Sequence, residues 1–226
     1  MGVVAEIDRA AAAAGFHVPM SDGYEQKLVE RLKRRDEAAF NELVRLYQGK
    51  IYRLVFRMLG DAGEAEDLAQ EVFVTVFKSI DSFRGDSKLS TWMYRVATNH
   101  CKNRIKYLGR RAHKKKKEFD EVGDRDAIES ATMATSATVP RPDEMVHARQ
   151  TEGFIQKALA ELPDDQKELV VLRDIENMTY DAIKEVTGLP EGTVKSRLHR
   201  ARLALQKRVQ ELQGVAQGAG KKGQGR

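Results

Sequence analysis

The sequence predicts an all-α protein of two small helical domains joined by a flexible acidic linker. Three observations carry this. Apolar residues recur at spacings of three and four over several long stretches, the signature of helices with one buried stripe. Only 5 prolines occur in 226 residues, while Leu, Val and Ala are plentiful, a composition that favours helix. Between about residues 112 and 141 the periodicity stops. Compact domains rarely hold structureless loops longer than about 15 residues, so this stretch separates two folded units.

Residues 1–22 read as a loosely ordered extension, with an Ala run (Ala10–Ala14), Gly15 and Pro19. The first domain is assigned to residues 23–111, with helical periodicity from near Glu25. From Asp36, the residues Phe40, Leu43, Val44, Tyr47, Ile51, Leu54 and Met58 form one stripe on a long helix that Gly60–Gly63 ends. A second helix is expected from about Glu64 to Ile80. Leu68, Val72, Val76 and Ile80 would be buried, with Ala65, Ala69, Phe73 and Phe77 beside them. Asp81 to Ser90 is read as a loop. Ser90 and Thr91 suit the cap of a third long helix reaching about Gly109.

The linker, residues 112–141, carries Glu118, Asp120, Glu121, Asp124, Asp126 and Glu129, then small and polar residues up to Pro142. The second domain, 142–212, begins with a helix from about Asp143 to Glu161, closed by Leu162-Pro163. A further helix runs from Asp164 to Ile175. Thr179 caps a short one, Tyr180 to Thr187, stopped by Gly188, and a last helix follows Gly192. Residues 213–226, rich in Gly and Lys, are expected to be a disordered tail.

The formal net charge is +5. That total is compatible with a polyanionic partner, but the distribution says more. Cys101 is the single cysteine, so no internal disulfide is possible and a reducing compartment is expected. No apolar run approaches the roughly 18 residues of a membrane span. Glu6, Asp8 and Arg9 interrupt any secretory apolar segment, and Glu6 stands where a myristoylation signal wants Ser or Thr. The chain is therefore read as cytoplasmic. The five His residues are scattered, and no nucleophile–base pair or phosphate-binding Gly loop is found. Neither an enzymatic activity, a metal site, a cofactor nor a small-molecule substrate is expected.

The sharpest local signal is Thr179–Arg202. A short helix, a turn at Gly188 and a longer basic helix make a helix-turn-helix, whose second helix can enter the major groove. Thr193, Lys195, Ser196, Arg197, Arg200 and Arg202 crowd that helix, and no acid occurs between Gly192 and Glu211. Such cations attract phosphates and make bidentate contacts to guanine edges. Val194, Leu198, Leu203 and Leu205 are inward-facing candidates. An ordinary two-helix corner with a solvated basic face is the plainer alternative.

In the first domain, residues 102–117 hold nine Lys or Arg and no acid. Trp92, Tyr94, Arg95 and Asn99 lie upstream on the same helix. Aromatic platforms, an amide and cations suit single-stranded nucleic acid. Trp92 and Tyr94 are equally suited to the core, and Lys114–Lys117 to a solvated helix end. One helix earlier, Asp61, Glu64, Glu66, Asp67 and Glu71 fall within eleven residues that contain no base. Asp67, Gln70, Glu71, Val74 and Lys78 share a face away from the apolar stripe. Such a face would repel DNA and suits a protein partner, although the helix dipole alone accounts for acids in the first turn. A dimeric duplex-binding regulator, or an adaptor using only the acidic face, remains open at this point.

The motifs DLAQEVF, STWMYRVATN and LPEGTVKSRLHRAR, in this order, resemble those of the extracytoplasmic-function (ECF) sigma factors of the sigma-70 family, most of all the envelope-stress, RpoE-like branch. The matching stretches are Asp36–Gly60, Glu66–Phe83, Arg84–Arg111 and Ala158–Arg208. The resemblance implies an alternative sigma factor, with residues 23–111 as region 2 and 142–212 as region 4. It implies that Asp67, Gln70, Glu71, Phe73, Val74 and Lys78 dock on core RNA polymerase. It also implies that Phe83, Lys88, Trp92, Tyr94, Arg95, Asn99, Lys102, Asn103 and Lys106 engage the −10 element. Asn99 would line the pocket for a flipped base. Thr193, Lys195, Ser196, Arg197, His199 and Arg200 would read the −35 duplex. The implied partners are the clamp and flap of the large polymerase subunits, promoter DNA as duplex and single strand, and an anti-sigma factor.

Overall fold

A computed structural model describes residues 22–120 and 152–222, with side chains for 23–111 and 152–214. The expected extension lies outside the described residues, and so does most of the linker. All regular structure among the described residues is helical. In chain order the elements are α1 (Asp22–Lys33), α2 (Glu37–Leu59), α3 (Ala62–Ser79), a 3-10 turn (Ile80–Ser82) and α4 (Leu89–Asp120). They continue with α5 (152–160), α6 (Asp164–Val170), a π turn (Val171–Ile175), α7 (Tyr180–Thr187) and α8 (Glu191–Lys222).

The helix boundaries follow side-chain chemistry. Asp36 caps α2 by accepting from the Ala39 amide at 3.1 Å, and Asp61 caps α3 through the Glu64 amide at 2.8 Å. Each satisfies an amide that the first turn leaves without a helical partner. Thr179 does the same for α7 through Ala182 at 3.2 Å. Gly60 and Gly188 close α2 and α7 in the left-handed region, at φ 82° and 72°, where a side chain would be strained.

The first core is a three-helix pack of α2, α3 and α4. Leu43, Ile51, Leu54 and Met58 from α2 meet Leu68, Val72 and Val76 from α3 and Met93 and Ala97 from α4, all essentially inaccessible. The second core joins Leu169–Leu172 to Val194, Leu198, Ala201, Leu205 and Val209 of α8. Four consecutive residues, Leu169 to Leu172, are all fully buried. A helix apolar on every side must be covered on every side. Here α8 lies against one flank of this segment and α2 of the first domain against another, while α7 packs along α4.

Several expectations are corrected. Helix α4 continues to Asp120 rather than ending near Gly109, so the linker does not begin at 112. Helix α8 runs to Lys222, through most of the stretch expected as tail. Ser90 and Thr91 lie inside the first turn of α4. Its Leu89 amide instead donates to the Glu25 carboxylate of α1 at 2.5 Å, a long-range contact that local pattern does not encode. Leu203 faces solvent, 55% exposed, because it lies on the flank opposite Leu198 and Leu205. Phe77 is also partly exposed, its ring edge-on to Phe40 with the Arg35 guanidinium above it.

Candidate nucleic-acid interface

Helix α8 separates cleanly into two flanks. Val194, Leu198, Ala201, Leu205 and Val209 recur every three or four residues and fill the core. Lys195, Ser196, His199 and Arg200 therefore point outward and are exposed. They cover about 8 Å of helix axis at 1.5 Å per residue, which fits within a major groove about 12 Å wide. Thr193 and Arg197 sit half-buried at the margin of this face, Arg197 paired with Asp165 at 2.9 Å. Lys195 pairs with Glu191 at 2.5 Å, which raises the ammonium's pKa, and its charge also lies over the Tyr180 ring. Arg202 is turned away from the exposed face and engages Asp174, a nearly buried carboxylate.

Helix α4 has three flanks. Met93 and Ala97 enter the core, and Arg104 reaches Glu64 and Glu71 of α3. Arg95, Asn99, Asn103 and Lys106 form an exposed row along about 17 Å of axis. The third flank, Tyr94, Thr98, Cys101 and Lys102, faces the second domain or lies close beside it. Tyr94 is buried, with its hydroxyl donating to Glu176 at 2.7 Å. Burial pushes its phenol well above the usual tyrosine range, with the Glu176 charge adding to the shift. Lys102 lies 2.8 Å from Glu168, whose carboxyl burial pushes up even against the pull of that ammonium. Of the residues expected at the single strand, Tyr94 and Lys102 thus stand apart from the open row. Trp92 is half-buried against Phe83, with ring centroids 5.5 Å apart, and Phe83 itself is in the core.

Two grooves flank the Phe83–Lys88 loop. One, about 560 Å³, lies between the loop and Glu25, Val29 and Lys33 of α1, with Lys88 in its wall. The other, about 430 Å³, joins the loop to Trp92, Arg95 and Glu185 of α7. Sequence reasoning missed Glu25, Val29, Lys33 and Glu185 here.

On α3, Asp67, Gln70, Glu71, Val74 and Lys78 make one exposed face, with Val74 49% exposed. Phe73, grouped with them by resemblance, is turned into the core and presents no docking surface. Glu71 is tied to Arg104 at 2.6 Å.

The fold agrees with the matches to known proteins. Residues 43–111 match the model of Sigma-70 region 2, and residues 155–205 that of Sigma-70, region 4. The chain belongs to the ECF sigma factors. It is 36% identical over 189 residues to the ECF RNA polymerase sigma factor SigW of Bacillus subtilis (strain 168), covering 83% of this chain and 97% of that one. It is 35% identical over 191 residues to the ECF RNA polymerase sigma-E factor of Escherichia coli (strain K12), covering 83% and 95%. The sigma factor RpoE from Bartonella quintana, solved with the anti-sigma factor NepR, shares the fold at a TM-score of 0.59 and 22% identity, over 76% of this chain and 96% of that one. CnrH, solved with the cytosolic domain of CnrY, does so at 0.56 and 19%, over 81% and 95%.

As a sigma factor of this family the chain serves promoter-specific transcription initiation. Region 2 is the α2–α4 pack, and region 4 runs from α5 into the first half of α8, with the helix-turn-helix inside it. Among the described residues no cluster of three or more His, Cys, Asp or Glu side chains is arranged to hold a metal ion. No helix there is long and apolar enough to cross a membrane.

Proposed function

We propose that this sigma factor reads the −35 duplex with Lys195, Ser196, His199 and Arg200 of α8 and captures the melted −10 strand along Arg95, Asn99, Asn103 and Lys106 of α4. The observation that carries this is the exposed row on α4, where two amides stand between two cations with spacings of three and four. Cations at the ends follow a phosphate backbone, and amides between them can read base edges. Extruding a base costs a few kcal/mol, which stacking on a ring such as Trp92, at about 1–3 kcal/mol per base, offsets. Thr193 and Arg197 border the duplex-reading face, and Phe83 and Lys88 shape the loop beside the strand. Tyr94 and Lys102 join the strand site once the second domain moves away.

The exposed α3 face, Asp67, Gln70, Glu71, Val74 and Lys78, is assigned to the polymerase clamp, and region 4 to the flap. Its mixed acidic and apolar character suits a protein rather than a polyanion. Phe73 supports this face from beneath. The protein acts in the cytoplasm, without catalysing a reaction of its own, and an anti-sigma factor is its expected antagonist.

The test needs no promoter sequence. The purified chain is mixed with sigma-free bacterial core RNA polymerase and run on a sizing column. Near-stoichiometric co-elution is the expected result. A folded, inhibitor-free protein that elutes alone would overturn the assignment in favour of a stand-alone duplex-binding regulator.

A further inference from the structure

Among the described residues, three ionic pairs cross the contact between the two domains, and two of their carboxylates, Glu168 and Glu176, are almost wholly buried. Glu176 of the second domain is 2% exposed at its side chain, and first-domain groups engage both of its oxygens. Arg53 Nε donates to Oε1 at 3.0 Å and the Tyr94 hydroxyl to Oε2 at 2.7 Å. Glu168, 4% exposed, faces Lys102 at 2.8 Å. Arg57, itself buried, reaches Glu152 and donates to Gln156 at 3.0 Å. In every charged pair the carboxylate comes from the second domain and the cation from the first. Buried carboxylates are costly unless they are paired and hydrogen-bonded, so these residues suit one particular apposition of the two domains.

That apposition conflicts with simultaneous promoter contact. Elements centred near −35 and −10 lie about 85 Å apart on B-DNA at 3.4 Å per base pair, whereas a compact chain of this length is about 45 Å across. It also occupies Lys102 and Tyr94 of the strand-binding helix and places Glu185 in the groove beside Trp92 and Arg95.

We propose that Glu168 and Glu176 form an autoinhibitory clasp, holding region 4 on α4 in place of a nucleic-acid backbone, and that the clasp opens before a melted strand binds. This rests on the assignment of α4 to the single strand. Lys102 then has two competing counter-charges, the Glu168 carboxylate in the closed form and a phosphate in the open one. The closed population lowers the apparent strand affinity by the fraction of molecules that are open.

The test uses the full chain. Glu168→Gln/Glu176→Gln removes both charges with nearly unchanged shape, and Asp164→Asn/Asp181→Asn removes two exposed charges of the same domain whose ion pairs, with Lys167 and Lys184, lie within that domain. Small-angle X-ray scattering reads closure, and the anisotropy of a fluorescein-labelled, mixed-sequence 20-nucleotide single-stranded DNA reads binding. If about nine in ten molecules are closed, the clasp variant binds the oligonucleotide about tenfold more tightly than wild type. Its radius of gyration rises as well, and the control changes neither by a comparable amount. An already extended wild type, or a clasp variant that scatters like wild type, overturns the proposal. So does an affinity gain that the control matches, since charge alone then explains it. Failure of every form to bind the strand would instead strike the assignment of α4, leaving scattering to judge the clasp.

Discussion

Arg202 Nε donates to Asp174 Oδ2 at 3.0 Å, and a second nitrogen of the same guanidinium reaches Oδ1. This two-point contact ties the middle of α8 to the π turn Val171–Ile175, and so fixes the angle at which the exposed face of α8 is presented. By sequence Arg202 belonged with the DNA-reading cations. In the structure it sets up the reading helix from behind.

Asp174→Ala is therefore expected to destabilise the second domain. The carboxylate is 5% exposed but Arg202 remains 35% exposed, so the cost is about 2 kcal/mol rather than that of a fully buried pair. Urea unfolding followed by far-UV circular dichroism should show the loss. The fluorescence of Trp92, the one tryptophan in the chain and a first-domain residue, should shift less.

Arg200→Ala should behave oppositely, leaving stability within about 0.5 kcal/mol of wild type, as for an exposed residue. It should weaken duplex binding by the holoenzyme. If Arg200 neutralises one phosphate, the slope of log affinity against log salt becomes shallower by about 1. An unchanged slope with lost affinity would mark a base contact instead.

Asn99→Ala removes an exposed amide of the α4 row. Promoter opening should fall about tenfold, in line with the 1–3 kcal/mol of a good base contact. Co-elution with core polymerase should be unaffected. Permanganate footprinting and the sizing column separate the two, and equal loss in both would remove Asn99 from strand capture.

Glu71→Lys places a cation against Arg104, where the wild type has a 2.6 Å pair, and reverses the charge of the proposed clamp-docking face. Core affinity should drop about tenfold, with Glu71→Gln intermediate. Val74→Glu provides a companion variant, since Val74 is an exposed apolar residue and forms no ion pair of its own. A core affinity unchanged in both by competition against a labelled sigma factor would exclude this face.

Burial pushes the Cys101 thiol up to about 12, with the Glu168 charge adding to the shift. A raised thiol pKa means the folded chain keeps a proton that the unfolded chain releases, so stability begins to fall once pH passes the ordinary thiol pKa of about 8.5 and goes on falling as pH rises towards 12. Iodoacetamide should leave the native chain largely unmodified at pH 9, where an ordinary thiol with a pKa of about 8.5 reacts readily. Intact-mass spectrometry checks this, and modification should become complete in urea.

The sequence by itself determined the all-helical class, the two-domain order and the placement of most helices. Those properties are written in local periodicity and in caps such as Asp36, Thr179 and Gly188, each needing only its near neighbours along the chain. It also determined the exposed face of α8, because Val194, Leu198 and Leu205 leave Lys195, Ser196, His199 and Arg200 on the opposite side. Tertiary structure decided which polar residues are spent internally. Arg202 is taken by Asp174, Arg104 by Glu64 and Glu71, Tyr94 by Glu176, and Leu89's amide by Glu25, across separations of 28 to 82 residues. No local pattern encodes a partner at that distance. A cation looks the same in sequence whether it meets a phosphate or a carboxylate of its own chain, and only the packing of the helices brings those carboxylates into place.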